Sequence, residues 1–200
     1  MNNELKKRIL TSIFLILLLT FMYLYSFVMI IALVVIAVII WIEFYSLISK
    51  ILPKNRIKDK SLRYFFKSIS LLYLTLLVYF IFAIESYYPN LKLYLLYTIL
   101  VAILSDIGGL IIGKTFKGKK LTKISPNKTI SGSIGSFIFS LFLIPFFYED
   151  LIVYSFLNLT LITLLISLIT QLGDLFISFL KRKAKVKDTS DILPGHGGFL

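Results

Sequence analysis

Asp106 and Asp174 each interrupt a long run of aliphatic and aromatic residues. If those runs cross a bilayer, each carboxylate costs about 2.5–3.5 kcal/mol to insert, which makes it a functional candidate by default. Asp106 lies eight positions before Lys114, and Asp174 seven before Lys181. At 1.5 Å rise per residue, both sit roughly 10–12 Å inside a basic boundary. Two acids at matched depth on different helices can share a divalent cation in a cavity open to that boundary. Hard carboxylate oxygens suit Mg²⁺, which keeps several waters and takes substrate phosphates as further ligands. The competing structural reading is an Asp bonded to a neighbouring helix or reaching for the interface. Glu43 is a third acid of this kind, near the end of its helix, and reads as structural or interfacial. Gly108, Gly109 and Gly113 follow Asp106, and Gly173 precedes Asp174. Glycine there admits either a ligand or a second helix backbone at close range.

Two polar segments carry further candidates. Ser125-Pro126-Asn127-Lys128-Thr129-Ile130-Ser131-Gly132 has the composition of a turn followed by a capped helix start. Lys128 and the first amides of that helix suit an anion, although capping alone accounts for Ser and Thr. The tail runs Lys181-Arg182-Lys183-Ala184-Lys185-Val186-Lys187-Asp188, then Asp191, then Leu193-Pro194-Gly195-His196-Gly197-Gly198-Phe199-Leu200. It holds the only His of the chain. Glycine-rich backbone amides beside Lys and Arg are what a triphosphate needs, whereas a basic end to a last span also serves simply as an anchor.

The elements that must position these residues are membrane helices. Hydrophobic residues make up 58% of the 200-residue chain and charged ones 16%, against about 45–50% and 25% in soluble domains. A soluble fold of this size cannot hide that much apolar surface. The absence of Cys removes any disulfide framework or thiolate metal site. No cleavable leader is expected, because the first apolar run flows almost directly into the second. Spanning segments need roughly 20 apolar residues, and six are expected: 9–25, 27–48, 68–83 extending to 87, 91–112, 130–147 and 151–180. The first two can fold as a tight hairpin about Tyr25 and Ser26. The last is too long for one perpendicular span, so it tilts, breaks or runs out of the bilayer. The expected fold is an all-α polytopic bundle forming a single membrane domain over 1–200, with N-terminal helices in 1–90 and the catalytic helices and loops in 91–200.

Six spans put every Lys and Arg except Lys92 on one face, while Glu85, Glu149 and Asp150 fall on the other. The positive-inside rule makes the basic face cytoplasmic, with both termini inside. The formal net charge of +12 is thereby assigned to topology, to attraction for anionic lipid and to a polyphosphate, and not to nucleic acid.

With these residues in view, the second half of the chain resembles the phosphatidate cytidylyltransferases, or CDP-diacylglycerol synthases. Ser178-Phe179-Leu180-Lys181-Arg182, Lys187-Asp188 and Leu193-Pro194-Gly195-His196-Gly197-Gly198 look like that family's signature. Ser105-Asp106-Ile107-Gly108-Gly109, Ser125-Pro126-Asn127-Lys128-Thr129 and Gly173-Asp174-Leu175-Phe176 are similar to further family segments, in the same order. The likeness covers residues 104–200; the first half matches only in being helical and apolar.

The resemblance implies that CTP and phosphatidate give CDP-diacylglycerol and pyrophosphate with Mg²⁺, with or without a monovalent cation. It implies Asp174 as metal-binding and Asp106 as metal-binding or substrate-positioning, both catalytic and joined in catalysis by Lys181 and Asp188. It implies Ser125, Lys128, Thr129, Arg182, Lys187, His196, Gly197 and Gly198 as substrate-binding. The enzyme would sit in the cell membrane with its site facing the cytoplasm, alone or as a homodimer.

The family signature continues with Asp-Arg-x-Asp after His-Gly-Gly, and its first Asp binds metal; this chain stops at Leu200. A fragment is therefore expected, with little or no turnover until that continuation is added. The nearest rival is a CTP-dependent lipid or polyprenol kinase, which moves the γ-phosphate instead. A transporter or non-catalytic subunit is the rival of another class. Against it, the acids lie near one face and no inverted repeat is visible.

Overall fold

The computed structural model describes residues 3–52, 56–88, 91–122, 125, 128–151, 155–195 and 197–200. Seven helices follow one another among them: α1 (Asn3–Leu24), α2 (Ser26–Ile51), α3 (Ile57–Tyr87), α4 (Lys92–Phe116), α5 (Ile130–Leu141), α6 (Ile144–Phe147) and α7 (Phe156–Lys183). Six segments are long and apolar enough to cross a membrane, with α5 and α6 together making the fifth. The protein is an all-α, multi-pass membrane protein. Its surface shows why lipid must be the solvent. Leu10, Phe27 and Phe146 are more than 70% exposed, while Ser105, Ser140, Thr163 and Ser167 are wholly buried. Apolar outside and hydroxyl inside inverts the soluble pattern and matches helices that pack through small polar residues.

Most spans lie where the apolar runs put them, and two begin elsewhere. The third helix starts at Ile57, so Lys58, Lys60, Arg63 and Lys67 belong to α3 and not to a connection. Aromatic rings of α2 explain this. The Lys67 ammonium lies 5.1 Å from the Trp41 ring centroid and 4.9 Å from that of Tyr45, and the Arg63 guanidinium lies 5.7 Å from Tyr45. Trp41 also donates its indole N–H to the Lys67 carbonyl. These cation–π contacts hold basic turns helical against an apolar neighbour. The sixth span begins at Phe156 and is one unbroken helix of 28 residues. At about 42 Å it outruns a hydrocarbon core of roughly 30 Å, so tilt or emergence accommodates it and a break does not. Pro145 accounts for the interruption between α5 and α6, because its ring excludes a continuous helix through residue 141.

The chain divides into two compact units, Met1–Pro89 with Leu180–Leu200, and Asn90–Phe179. In the first, α1 and α2 meet through a single extended residue, Tyr25, as the expected hairpin. Helix α7 ends there in a Schellman motif: Val186 N–H bonds the Lys181 carbonyl, Lys185 N–H bonds that of Arg182, and Lys185 takes a left-handed φ of 56°. Leu193 and Gly197 then pair across a tight hairpin. The Thr11 hydroxyl of α1 bonds the Pro194 carbonyl at 2.8 Å, pinning that hairpin.

In the second unit, α4 and α5 approach through glycine. A Cβ on Gly108 would fall 2.5 Å from the Gly135 carbonyl oxygen and 2.5 Å from Phe139 Cβ, and one on Gly135 would fall 2.5 Å from Ile112 Cβ. Helix packing is therefore the reason for Gly108. Gly108→Ala gains up to about 1 kcal/mol in helix propensity but overpacks a rigid contact, at about 1–3 kcal/mol. The clash should win, because one obstacle is backbone and the other is the root of a side chain. The midpoint of thermal unfolding in detergent is expected to fall.

Candidate active site

Helices α4, α5 and α7 enclose a cavity of about 440 Å³ within the second unit. Asp106 reaches it from α4 and Asp174 from α7, while Lys128 and Thr129 reach it from the residues leading into α5. The local fold places each of them. Thr129 caps α5, its Oγ1 accepting from Gly132 N–H at 3.0 Å. Lys128 N–H bonds the Ser125 carbonyl, Leu121 N–H bonds the Lys128 carbonyl, and Lys120 pairs with Thr129. The loop is thus closed on itself, and Lys128 is held at the mouth of α5. Its ammonium makes an ion pair with the Asp174 carboxylate. Asp106 lies close enough to feel the charges of both.

Several polar residues of this cavity escape a search confined to charged groups. Gln171 lines it one helical turn before Asp174, and Ser133 lines it from α5. Ser133 donates to the Gln171 side-chain oxygen at 2.5 Å, and Gln171 Nε2 approaches Ser167 Oγ at 3.4 Å. Ser167 in turn pairs with Ser105 at 2.9 Å, next to Asp106. The result is a chain of side-chain contacts from α4 through α7 to α5, beside the carboxylates. Spacing of three residues from Asp174 is the one signal that picks out Gln171. Lys114 also lines the cavity, adding a second cation.

The donor set fits Mg²⁺. Two carboxylates share one cavity, and the Lys128 ammonium stands against Asp174 as a cationic partner. Among the described residues no three His, Cys, Asp or Glu side chains gather, so no closed protein cage forms there. Two carboxylates with the other positions left to water and phosphate is a common arrangement for this ion.

The remaining expected site residues fall elsewhere. Ser125 does not line the cavity and contributes through its backbone carbonyl to the loop that carries Lys128. Lys181, Arg182, Lys187, Asp188, Gly197 and Gly198 belong to the first unit. Lys181 Nζ lies 3.2 Å from the Leu200 carbonyl oxygen, while Arg182, Lys187 and Asp188 are exposed. Gly197 has a φ of +95° and packs on Asp188. His196 lies outside the described residues, as do Pro126 and Asn127.

Comparison with known proteins bears on the family of the chain. A model described as the cytidylyltransferase family matches residues 1–200. The phosphatidate cytidylyltransferase of Staphylococcus haemolyticus is 46% identical over 110 residues, covering 54% of this chain and 42% of that protein. The enzyme of the same name from Bacillus subtilis is 42% identical over 109 residues, covering 54% and 40%. That from Rickettsia typhi is 44% identical over 103 residues, covering 48% and 45%. The matches thus span less than half the length of these curated relatives. No solved structure matches the chain. With the family model matching from the first residue to the last, the chain belongs to the cytidylyltransferase family.

Proposed function

We propose that the protein transfers the cytidylyl group of CTP to phosphatidate, giving CDP-diacylglycerol and pyrophosphate. One observation carries the reading: in a member of this family, two carboxylates set within apolar helices share a cavity with a lysine. The chemistry needs little else. A phosphatidate oxygen attacks the α-phosphorus of CTP, the bond from that phosphorus to the bridging oxygen breaks, and pyrophosphate leaves with the electron pair. No activated Ser, Cys or His nucleophile is required, so positioning and electrostatics do most of the work.

Asp106 and Asp174 would hold Mg²⁺, which supplies positive charge against the departing pyrophosphate. Lys128 faces Asp174 until a phosphate competes for its ammonium. The capped loop below it fixes where that exchange occurs. In the first unit, Lys181, Arg182, Lys187 and the Gly198 amide are donors of the kind that phosphate oxygens accept from, and Gly197 shapes that loop through its hairpin pair with Leu193. The active face is cytoplasmic, because that is where the Lys and Arg residues belong by the positive-inside rule and where CTP is found.

Membranes carrying the protein extended by an Asp-Arg-x-Asp segment test the proposal. Label at the α-phosphorus of CTP should enter lipid in a phosphatidate- and Mg²⁺-dependent way, and label at the γ-phosphorus should not. Lipid labelled from the γ-position would instead establish a CTP-dependent lipid kinase.

A further inference from the structure

Glu43 has no part in the reaction above, yet it is the most heavily bonded acid among the described residues. It lies within α2 and is 2% exposed. Its Oε1 accepts from the Ser190 hydroxyl and from Phe199 N–H at 3.2 Å. Its Oε2 accepts from the Thr189 hydroxyl at 2.8 Å and from Leu200 N–H at 3.0 Å. Four donors fill the lone pairs of a carboxylate, which donates nothing when ionised. All four lie in the segment that follows α7, within the same compact unit.

The donors come from the two ends of one loop. Thr189 and Ser190 directly follow Lys187 and Asp188; Phe199 and Leu200 directly follow Gly197 and Gly198. One carboxylate therefore closes the loop at its base. The fit is tight: a Cβ on Gly198 would stand 2.0 Å from Thr189 Oγ1 and 2.6 and 2.7 Å from the two Glu43 oxygens. An amide in place of the carboxylate would turn one acceptor into a donor facing donors, so shape alone cannot replace charge here.

We propose that Glu43 is a positioning residue for the nucleotide: it clamps the 187–200 loop so that Lys187 and the Gly198 amide meet the polyphosphate already ordered. The assignment rests on the function proposed above for the identity of the ligand, and on hydrogen bonding for the clamp itself. Ordering a loop before binding removes part of the entropic cost of binding.

Glu43→Gln tests it, in membranes carrying the protein extended by an Asp-Arg-x-Asp segment. The KM for CTP should rise at least tenfold while the KM for phosphatidate stays within twofold, and Glu43→Asp should recover part of the loss. Trypsin should cut after Lys187 severalfold faster than in the wild type. An unchanged KM for CTP, or equal losses for both substrates together with a lower unfolding midpoint, would overturn the assignment. The trypsin readout is independent of turnover: if the wild type makes no CDP-diacylglycerol, the reaction fails, but the clamp fails only if the variant loop is cut no faster. Should Glu43→Gln not accumulate, Thr189→Val with Ser190→Ala removes two of the donors and must give the same pattern in weaker form.

Discussion

Asp174→Asn is expected to abolish turnover in a chain bearing the Asp-Arg-x-Asp continuation, while the protein still inserts and folds. Loss of groups that merely orient metal ligands costs roughly 10–100-fold, so loss of a ligand itself should exceed about 100-fold. The side chain keeps its shape as an amide, and its exposure in the cavity means that no buried charge is stranded. The pair with Lys128 is partly open to solvent, with side chains 48% and 29% exposed, and such pairs contribute about 0–1 kcal/mol. Stability should therefore move little while activity disappears. Turnover measured against rising Mg²⁺ separates the roles: a ligand's loss is partly offset by more metal, whereas a purely structural Asp gives no such response. A variant that retains wild-type activity at low Mg²⁺ would remove Asp174 from the metal site.

Gly198→Ala should be nearly as damaging by another route. The added methyl meets Thr189 Oγ1 and both Glu43 oxygens at separations that real Cβ atoms do not tolerate. Either the loop swings away from α2 or the four bonds to Glu43 lengthen. Charge-assisted hydrogen bonds contribute about 1.5–3 kcal/mol each, so losing even one or two of them outweighs anything a methyl gains. Turnover should fall at least about tenfold, on the scale of one such bond. The damage should be local, because α1, α2 and α3 pack on one another elsewhere. Hydrogen exchange in detergent is the check: amides of residues 187–200 should lose protection, while those of α2 keep it. Uniform loss across the protein would indicate a fold defect instead.

Much of the architecture is legible from residue type alone. Runs of apolar residues in the chain mark the six spans, because bilayer thickness sets their length and nothing else in the sequence competes. Asp106 and Asp174 stand out as charges amid Leu and Ile, and they do line one cavity. What escapes notice is whatever depends on partners far away in sequence. The first turns of α3 look like a polar connection until Trp41 and Tyr45 supply rings for Arg63 and Lys67. Glu43 reads as structural or interfacial, and the sequence does not say which, because its four donors lie about 150 positions later, beyond any local pattern. Ser133 and Gln171 are uncharged and go unremarked, although they border the carboxylates. Gly108 is ambiguous in the chain, and the close approach of α5 decides for packing, while Gly109 next to it lines the cavity.

The contacts joining Ser105, Ser167, Gln171 and Ser133 also bear on biogenesis. Helices leave the ribosome in order, and α4 with α5 can dock by glycine contact as soon as both are inserted. Tyr97 and Ser105 must wait for α7, since their partners are Thr163 and Ser167. Until then, a tyrosine hydroxyl and a serine hydroxyl face lipid or a chaperone in the insertion machinery. Thr163 can wait in comfort, for its own hydroxyl already bonds the Leu159 carbonyl one turn back. Late arrival of α7 thus completes the second unit's interior and delivers Asp174 in the same event, so the two cavity carboxylates come together only in a chain whose translation has passed the sixth span.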